Sequence, residues 1–229
     1  MSIYDSFSKV RDEVAACALA SGRNEDDVQL MAVSKFHSQQ EIEEAINAGA
    51  TLFGENRVQE AAEKFPYLLD KFPQIRLHQI GSLQRNKVKT ILPLVTCVQS
   101  VDRMELINEM EKIADNSDRH VEILLEYHTA EDSKSGFVNY DDVFAALEGL
   151  KSCGHLHPVG FMTMAPFCDD EKAIRASFIQ LRNIMDKAKS DFPEFDFSVL
   201  SMGMSGDYKI AIEEGSTLVR IGTAIFGPR

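Results

Sequence analysis

The feature that most constrains the fold is an alternation of short apolar runs with amphipathic segments, which continues along the chain without a low-complexity linker. Apolar runs bounded by turn residues predict strands, and apolar residues at i, i+3 and i+4 spacing predict helices. The predicted strands are residues 30–34, 52–54, 75–80, 95–98, 121–126, 158–162, 197–200 and 218–221. The predicted helices are residues 2–20, 39–48, 57–65, 103–115, 140–150, 170–189 and 208–214.

Eight strands that alternate with helices favour a (β/α)₈ TIM barrel, an α/β fold. We expect residues 1–229 to form one such domain, with an extra N-terminal helix and lead-in over residues 1–28. A doubly wound open sheet is the alternative, but no Gly-x-Gly-x-x-Gly follows the first predicted strand, where a dinucleotide fold needs it. Asp102 is placed to cap the helix that follows it, with Glu105 as its capping-box partner.

Composition excludes several classes of protein. The chain carries 24 Lys and Arg against 36 Asp and Glu, a formal net charge of −12, which opposes a general nucleic-acid binder. The sequence has no apolar run long enough for a membrane span and no apolar signal-peptide core at its start. Its four cysteines are scattered, and no cysteine or carboxylate pattern near His155 and His157 completes a metal site. We therefore expect a cytoplasmic protein that binds neither metal nor membrane.

In a barrel of this kind the chemistry lies at the carboxyl ends of the strands. The residues that end or follow the predicted strands are mostly polar. They are Lys35, Glu55, Asn56, His78, Gly81, Ser100, Tyr127, His128, Thr163, Met164, Ser201, Arg220 and Thr223.

Small and hydroxyl residues follow each of the last two strands. Ser201 and Gly203 follow one of them, and Gly222 and Thr223 follow the other. Such residues let backbone N–H groups converge on an anion, and barrel folds place a phosphate site at this position. Tight turns alone would also explain these residues.

Lys35 ends the first strand, with apolar residues before it. Partial burial favours a neutral amine, which can form a Schiff base with a carbonyl, although a lysine there can also extend into solvent. Together with a phosphate site, this lysine predicts a phosphorylated aldehyde, and pyridoxal 5′-phosphate (PLP) fits that description. Arg220 would then face the pyridine nitrogen, which it can pair with only when that nitrogen is unprotonated. A salt bridge inside the barrel is the alternative role for Arg220.

Several motifs carry a family resemblance. They include Val33-Ser34-Lys35, the segment from Phe53 to Glu60, the segment from Ile80 to Lys87, Ser100-Val101-Asp102-Arg103, the segment from Ser133 to Phe137, and the glycine-rich stretches between Leu200 and Gly227. From about residue 30 to residue 229 the chain resembles the PLP homeostasis protein family, known in bacteria as YggS and in animals as proline synthase co-transcribed protein. The family resembles the N-terminal barrel of alanine racemase.

The resemblance implies a role for each matching residue. Lys35 would form the internal aldimine, Asn56 would line the pocket near the ring, and Arg220 would face the pyridine nitrogen. Ser201, Gly222 and Thr223 would hold the phosphate. His78 and Met162 are further cofactor-binding candidates by position only.

Three departures from the family pattern affect the pocket. Glu126-Tyr127-His128 stands where members usually show Gln-Val-Asn, Leu77 replaces a frequent Trp, and Phe36 replaces a frequent Thr. These changes affect the polarity of the pocket and its opening, and they leave the role expected for Lys35 unchanged. His128 is compatible either with a proton shuttle or with a wall of the pocket.

Two functions remain open at this stage. One is a PLP-binding protein that buffers or delivers the cofactor without efficient turnover; the other is a PLP-dependent amino-acid racemase or decarboxylase. The sequence ends soon after the eighth strand, which leads us to expect no opposing catalytic domain and so favours the carrier. The resemblance further implies amino acids and PLP-dependent apo-enzymes as partners. Net charge and hydropathy lead us to expect no nucleic-acid or membrane partner, and we expect a monomer.

Overall fold

A computed structural model describes residues 2–130 and 135–228, and in these ranges eight parallel strands close into a barrel in chain order. The strands are β1 (Gln29–Val33), β2 (Leu52–Glu55), β3 (Arg76–Gln79), β4 (Cys97–Val101), β5 (Val121–Glu126), β6 (Leu156–Met162), β7 (Val199–Ser201) and β8 (Leu218–Ile221).

Helices surround the barrel and connect its strands. They are α1 (Ile3–Ala20), α2 (Gln39–Asn47), α3 (Val58–Lys71), α4 (Val88–Ile91), α5 (Met104–Asn116), α6 (Tyr140–Leu150), α7 (Glu171–Asp191), α8 (Tyr208–Glu213) and α9 (Thr223–Phe226). Short 3₁₀ turns cover Glu25–Asp27 and Arg85–Lys87.

Closure of the barrel depends on the pairing of β1 with both β2 and β8. Ala32 lies opposite Phe53 on one side and opposite Ile221 on the other. The prediction of a (β/α)₈ barrel is therefore confirmed, and an open doubly wound sheet is excluded.

The extra helix before the first strand is also present. Ser2 caps α1 through a capping box with Asp5. The helix packs against α2, α8 and α9, and the Tyr208 hydroxyl donates to Glu13 Oε2 at 2.5 Å. Among the described residues, no helix is both long and apolar enough to cross a bilayer.

The helix predicted to end at Phe65 is longer than expected. α3 continues through Pro66 to Lys71. Proline interrupts a helix because it lacks an N–H and crowds the preceding turn. Pro66 lies on the exposed face of α3, where solvent can satisfy the carbonyl that loses its partner, and buried Phe65 and Leu68 hold the helix against the barrel on both sides of it.

Asp102 does not cap α5, and that prediction is wrong. The N-cap residue is Arg103, without a side-chain capping bond, and the Asp102 carboxylate pairs with the Arg103 guanidinium instead. The guanidinium also donates to the Leu83 carbonyl at 2.8 Å. The ion pair therefore takes up the carboxylate that would otherwise cap the helix.

The two faces of the strands form different cores. Successive strand residues point to opposite faces. Ala32, Phe53 and Leu77 belong to the large core between barrel and helices, whereas Met31 and Val33 join a smaller cluster inside the barrel. This alternation fixes which side chains face the interior, and so which ones can reach its mouth.

Candidate functional site

The sequence-predicted site residues lie at the carboxyl ends of the strands, a region that we call the carboxyl mouth. They are distributed as Lys35 after β1, Asn56 after β2, His78 in β3, Met162 at the end of β6, Ser201 at the end of β7, Arg220 in β8, Gly222 after β8 and Thr223 at the start of α9. Because all strands are parallel, these residues face one end of the barrel.

A chain of hydrogen bonds, which we call the polar chain, links four of the interior side chains. Arg220 Nη1 donates to Ser201 Oγ at 2.7 Å, and Ser201 Oγ donates to Gln99 Oε1 at 2.7 Å. Gln99 Nε2 donates to His78 Nδ1 at 2.9 Å. Arginine can only donate, so the bonds run in one direction, and His78 accepts at Nδ1 and carries its proton on Nε2. That Nε2 is buried without a hydrogen-bond partner among the described residues.

Burial, together with the charge of Arg76, lowers the pKa of His78 to about 3. The unfolded chain takes up a proton there near pH 6.5, whereas the folded chain does not. Stability therefore falls as the pH drops below 6.5 and levels off near pH 3. We expect His78 to cost about 2 kcal/mol of unfolding free energy between pH 7 and pH 5.

The variant His78→Gln keeps an acceptor for Gln99 and removes the titration. Urea unfolding at pH 7 and pH 5 should show that the wild type loses about 2 kcal/mol more than the variant over this interval. Equal losses in the two proteins would contradict a neutral, buried His78.

Arg220 is a buried cation near two carboxyls, buried Glu126 and half-buried Asp207. Its Nη2 donates to the Thr163 carbonyl at 2.8 Å, and the residue is only 5% exposed. Burial lowers the pKa of Arg220 to about 10, against the opposing effect of Asp207 and Glu126, so it keeps its charge at neutral pH. Burial raises the pKa of both carboxyls.

The turn that carries Lys35 is held on both sides of the lysine. Ser34 Oγ donates to Glu55 Oε1 at 2.8 Å, and the Phe36 N–H donates to Glu60 Oε2 at 2.8 Å. Phe36 has a φ of 70°, in the left-handed region that is uncommon for a bulky residue. Lys35 itself is half-buried.

Lys64 of α3 contacts both carboxylates that hold this turn, Glu55 and Glu60. Its ammonium donates to Glu55 Oε1 at 2.9 Å and Glu60 Oε2 at 3.2 Å. The carbonyl oxygens of Ser34 and His37 lie 3.1 Å and 3.2 Å from the same Nζ, so three N–H donors are shared among four acceptors. We call this arrangement the Lys64 clamp. It ties α3 to the turn around Lys35 by contacts that are largely shielded from water.

Asn56 is positioned by its neighbours on β3. Gln79 Nε2 donates to the carbonyls of Asn56 at 3.0 Å and Gly81 at 2.9 Å. A Cβ at position 81 would lie 2.4 Å from the Asn56 carbonyl oxygen, so only glycine allows this approach. The Asn56 Oδ1 atom is buried and has no hydrogen-bond partner among the described residues.

The loop after β8 adjoins the strand that leads to Lys35. A Cβ at Gly222 would lie 3.3 Å from the Val33 carbonyl oxygen, a tight contact that favours glycine. Thr223 is exposed, and Gly222 is half-buried. Met162 is buried and lies opposite Ser201 in register, among interior side chains.

Two parts of the predicted site differ from a simple ligand pocket. The Ser201 hydroxyl is fully buried and already bonded to Arg220 and Gln99, so the phosphate contact predicted for it stays untested. Ser133 and Lys134 of the family-like motif lie outside the described residues. Ser135 donates to Glu126 Oε1 at 2.6 Å.

Sequence reasoning missed Gln99 and Lys64, and it placed Glu55 at a strand end without its contacts to Ser34 and Lys64. Gln99 lies beyond the predicted end of β4 because the apolar run stops at Val98, although the strand continues with its polar side chains buried. A signal for Lys64 was available. It falls among the apolar positions of α3, close to Ala61 and Leu68, where a solvent-facing lysine is not expected.

Comparison with known proteins agrees with this geometry. The family described as alanine racemase, N-terminal domain, matches residues 15–229. The pyridoxal phosphate homeostasis protein of Aquifex aeolicus is 33% identical over 229 residues, covering 100% of this chain and 99% of that protein. The corresponding protein of Vibrio cholerae is 36% identical over 231 residues, covering 100% of this chain and 97% of that protein.

Solved structures extend the comparison. PipY of Synechococcus elongatus, in a structure with PLP bound, has a TM-score of 0.83 and 34% identity, covering 93% of this chain and 100% of that chain. Alanine racemase from Streptomyces coelicolor has a TM-score of 0.74 at 19% identity, covering 99% of this chain and 59% of that one, which shows a shared fold. The chain belongs to the pyridoxal phosphate homeostasis protein family, whose barrel is that of the alanine racemase N-terminal domain.

Proposed function

We propose that this protein binds PLP at the carboxyl mouth through Lys35 and takes part in PLP homeostasis, without efficient turnover of its own. The strongest support is the likeness to PipY, whose structure holds PLP, over 93% of this chain. Within the chain, the supporting observation is a half-buried lysine on a clamped turn, next to the Gly222 loop.

The residues at the carboxyl mouth fit such a group. Asn56 Oδ1 is a buried acceptor and His78 Nε2 a buried donor, and neither has a partner among the described residues. Buried polar groups are normally hydrogen-bonded, so an unpaired donor and acceptor at one mouth are consistent with a polar ligand. Gly222 leaves room for close approach of a backbone to a ligand, and Thr223 supplies an exposed hydroxyl.

When bound, PLP supplies an aldehyde that reacts with an amine and a pyridine ring that withdraws electrons best when protonated. Lys35 provides the amine, and the Lys64 clamp holds the turn that carries it. Asn56 and His78 orient the ligand from the β2 and β3 side. The backbone N–H groups of Gly222 and Thr223, together with the Thr223 hydroxyl, hold the phosphate.

Arg220 favours a carrier over an enzyme. A charged donor cannot accept a hydrogen bond from a protonated ring nitrogen, so it disfavours the electron-withdrawing form. The curated relatives are named for PLP homeostasis. The alternative is a PLP-dependent amino-acid racemase or decarboxylase. Amino acids as reversible ligands, apo-enzymes as recipients of PLP and a monomeric state belong to the same proposal.

Hydrogen–deuterium exchange at the α-carbon of amino acids in heavy water separates the two functions. A carrier should exchange these protons at close to the rate of free PLP. Exchange at about 1 per second or faster, within the range of ordinary enzymes, would contradict the carrier and favour the racemase.

The phosphate contact can be tested at Thr223. The variant Thr223→Val removes one hydroxyl donor to a dianion, and a hydrogen bond to a charged group contributes about 1.5–3 kcal/mol, so PLP affinity should fall about tenfold or more. Pyridoxal, which lacks the phosphate, should bind the wild type and the variant equally weakly. Spectroscopic titration with both aldehydes measures this, and equal wild-type affinity for the two would exclude a phosphate site.

A further inference from the structure

We propose a binding site for a divalent transition-metal ion, with Zn²⁺ as the representative ligand, at the amino-terminal end of the barrel. Its ligands are Asp118, His120 and His155, whose ligand atoms all lie within 4.8 Å of one another. This proposal revises the sequence-based expectation of no metal site. It does not depend on PLP binding, because the set lies at the opposite end of the strands from Lys35.

The barrel itself brings two of the histidines together. His120 immediately precedes β5 and His155 immediately precedes β6, and Val121 lies opposite Leu156 in the parallel register. The Val121 N–H donates to the His155 carbonyl at 2.9 Å. The two imidazole rings stack with centroids 5.1 Å apart. Their proximity is therefore fixed by strand pairing rather than by chance contact of surface side chains.

Asp118 supplies the carboxylate. Its Oδ1 lies 3.6 Å from His155 Nε2. The residue has a φ of 48°, in the left-handed region, which turns the chain sharply between α5 and β5. Bound zinc has Zn–N distances of about 2.0–2.1 Å, so tetrahedral ligand atoms lie about 3.3 Å apart. The ligand atoms already lie within 4.8 Å of one another, so small side-chain rotations would bring them to that spacing.

Each histidine has a partner for its other ring nitrogen, as metal-binding histidines usually do. His155 Nδ1 lies 3.2 Å from Glu111 Oε1, which leaves Nε2 for the metal. His120 Nδ1 lies 2.8 Å from His157 Nε2, so coordination through Nε2 of His120 preserves that bond. Glu111 is itself fixed, because it accepts the Gly154 N–H at 2.8 Å.

The donor set identifies the class of ion. Two imidazoles and one carboxylate suit Zn²⁺, Ni²⁺ or Cu²⁺, whereas Mg²⁺ prefers oxygen ligands. The sequence alone did not reveal these ligands, because Asp118 and His155 belong to segments that only the pairing of β5 with β6 brings together.

The test is competition for Zn²⁺ between a chromophoric chelator and the tag-free, full-length protein, with and without PLP. We expect one Zn²⁺ per chain and no displacement by millimolar Mg²⁺. Asp118→Asn removes the carboxylate, and asparagine tolerates the left-handed backbone, so the fold should be retained. This variant should weaken Zn²⁺ binding at least tenfold, and His155→Gln should weaken it further.

Two matched controls make the result decisive. Cys153→Ser tests a neighbouring thiol, and His128→Gln removes a histidine at the other end of the barrel; both should bind Zn²⁺ like the wild type. Circular dichroism should show that all four variants are folded. Unchanged Zn²⁺ affinity in both Asp118→Asn and His155→Gln, or loss of binding in Cys153→Ser, would overturn the proposal.

Discussion

Replacing Lys35 with alanine should abolish the visible absorption band of lysine-bound PLP while the barrel stays folded. Only a primary amine can form this bond to the aldehyde, and Lys35 is the amine on the clamped turn. Lys35→Arg should lose the band as well, because a guanidinium keeps the positive charge but cannot react. The two variants together separate the loss of chemistry from the loss of charge.

Borohydride reduction followed by peptide mapping gives the quantitative measurement. The wild type should carry about one pyridoxyl group per chain, on the peptide that contains Lys35. Both Lys35 variants should carry almost none, and the surface control Lys89→Ala should match the wild type. A label mainly on Lys64, Lys87 or Lys134 would show that the amine has been misassigned.

Replacing Arg220 with methionine should lower both stability and PLP affinity. The variant loses two hydrogen bonds from a charged donor, to Ser201 Oγ and to the Thr163 carbonyl. Each such bond contributes about 1.5–3 kcal/mol, so we expect the free energy of unfolding to fall by about 3 kcal/mol or more. Urea unfolding measures this directly.

The matched control for this variant is Arg11→Met. Arg11 is exposed and pairs with Asp12 on the surface of α1, so its loss should change the free energy of unfolding by less than about 0.5 kcal/mol. PLP affinity, measured under conditions where both variants are folded, should fall only in Arg220→Met. If the two arginine variants behaved alike, Arg220 would be neither a structural nor a ligand-binding residue.

The architecture was predictable because each of its signals is local. Most strands carry an apolar run, whereas β3 alternates polar residues with Leu77. The helices carry apolar stripes, so the order and number of strands follow from periodicity. The ends of helices were less predictable where another interaction overrode the local sequence rule. Asp102 satisfies the N-cap pattern but pairs with Arg103, and Pro66 marks a helix end in sequence but lies on the exposed face of a continuing helix.

The site was predictable only in outline. Lys35, Asn56 and Arg220 could be located because strand ends in a barrel point to one mouth. The hydrogen bonds of the polar chain could not be predicted, because Gln99 pairs with Ser201, which lies 102 positions later in the chain. Periodicity gives the direction of a side chain but not its partner across the interior, and that pairing depends on the stagger of the closed barrel.

The polar chain has a consequence for which sequences this barrel can accept. Positions 78, 99, 201 and 220 lie on four different strands. Each donor in the chain must nevertheless meet an acceptor on the next residue. An isolated substitution that removes the required donor or acceptor leaves a buried group unpaired, whereas a second, compensating replacement can restore the pairing. These four positions should therefore vary together in homologues: a homologue that loses the donor or acceptor at one of them should also differ at a second.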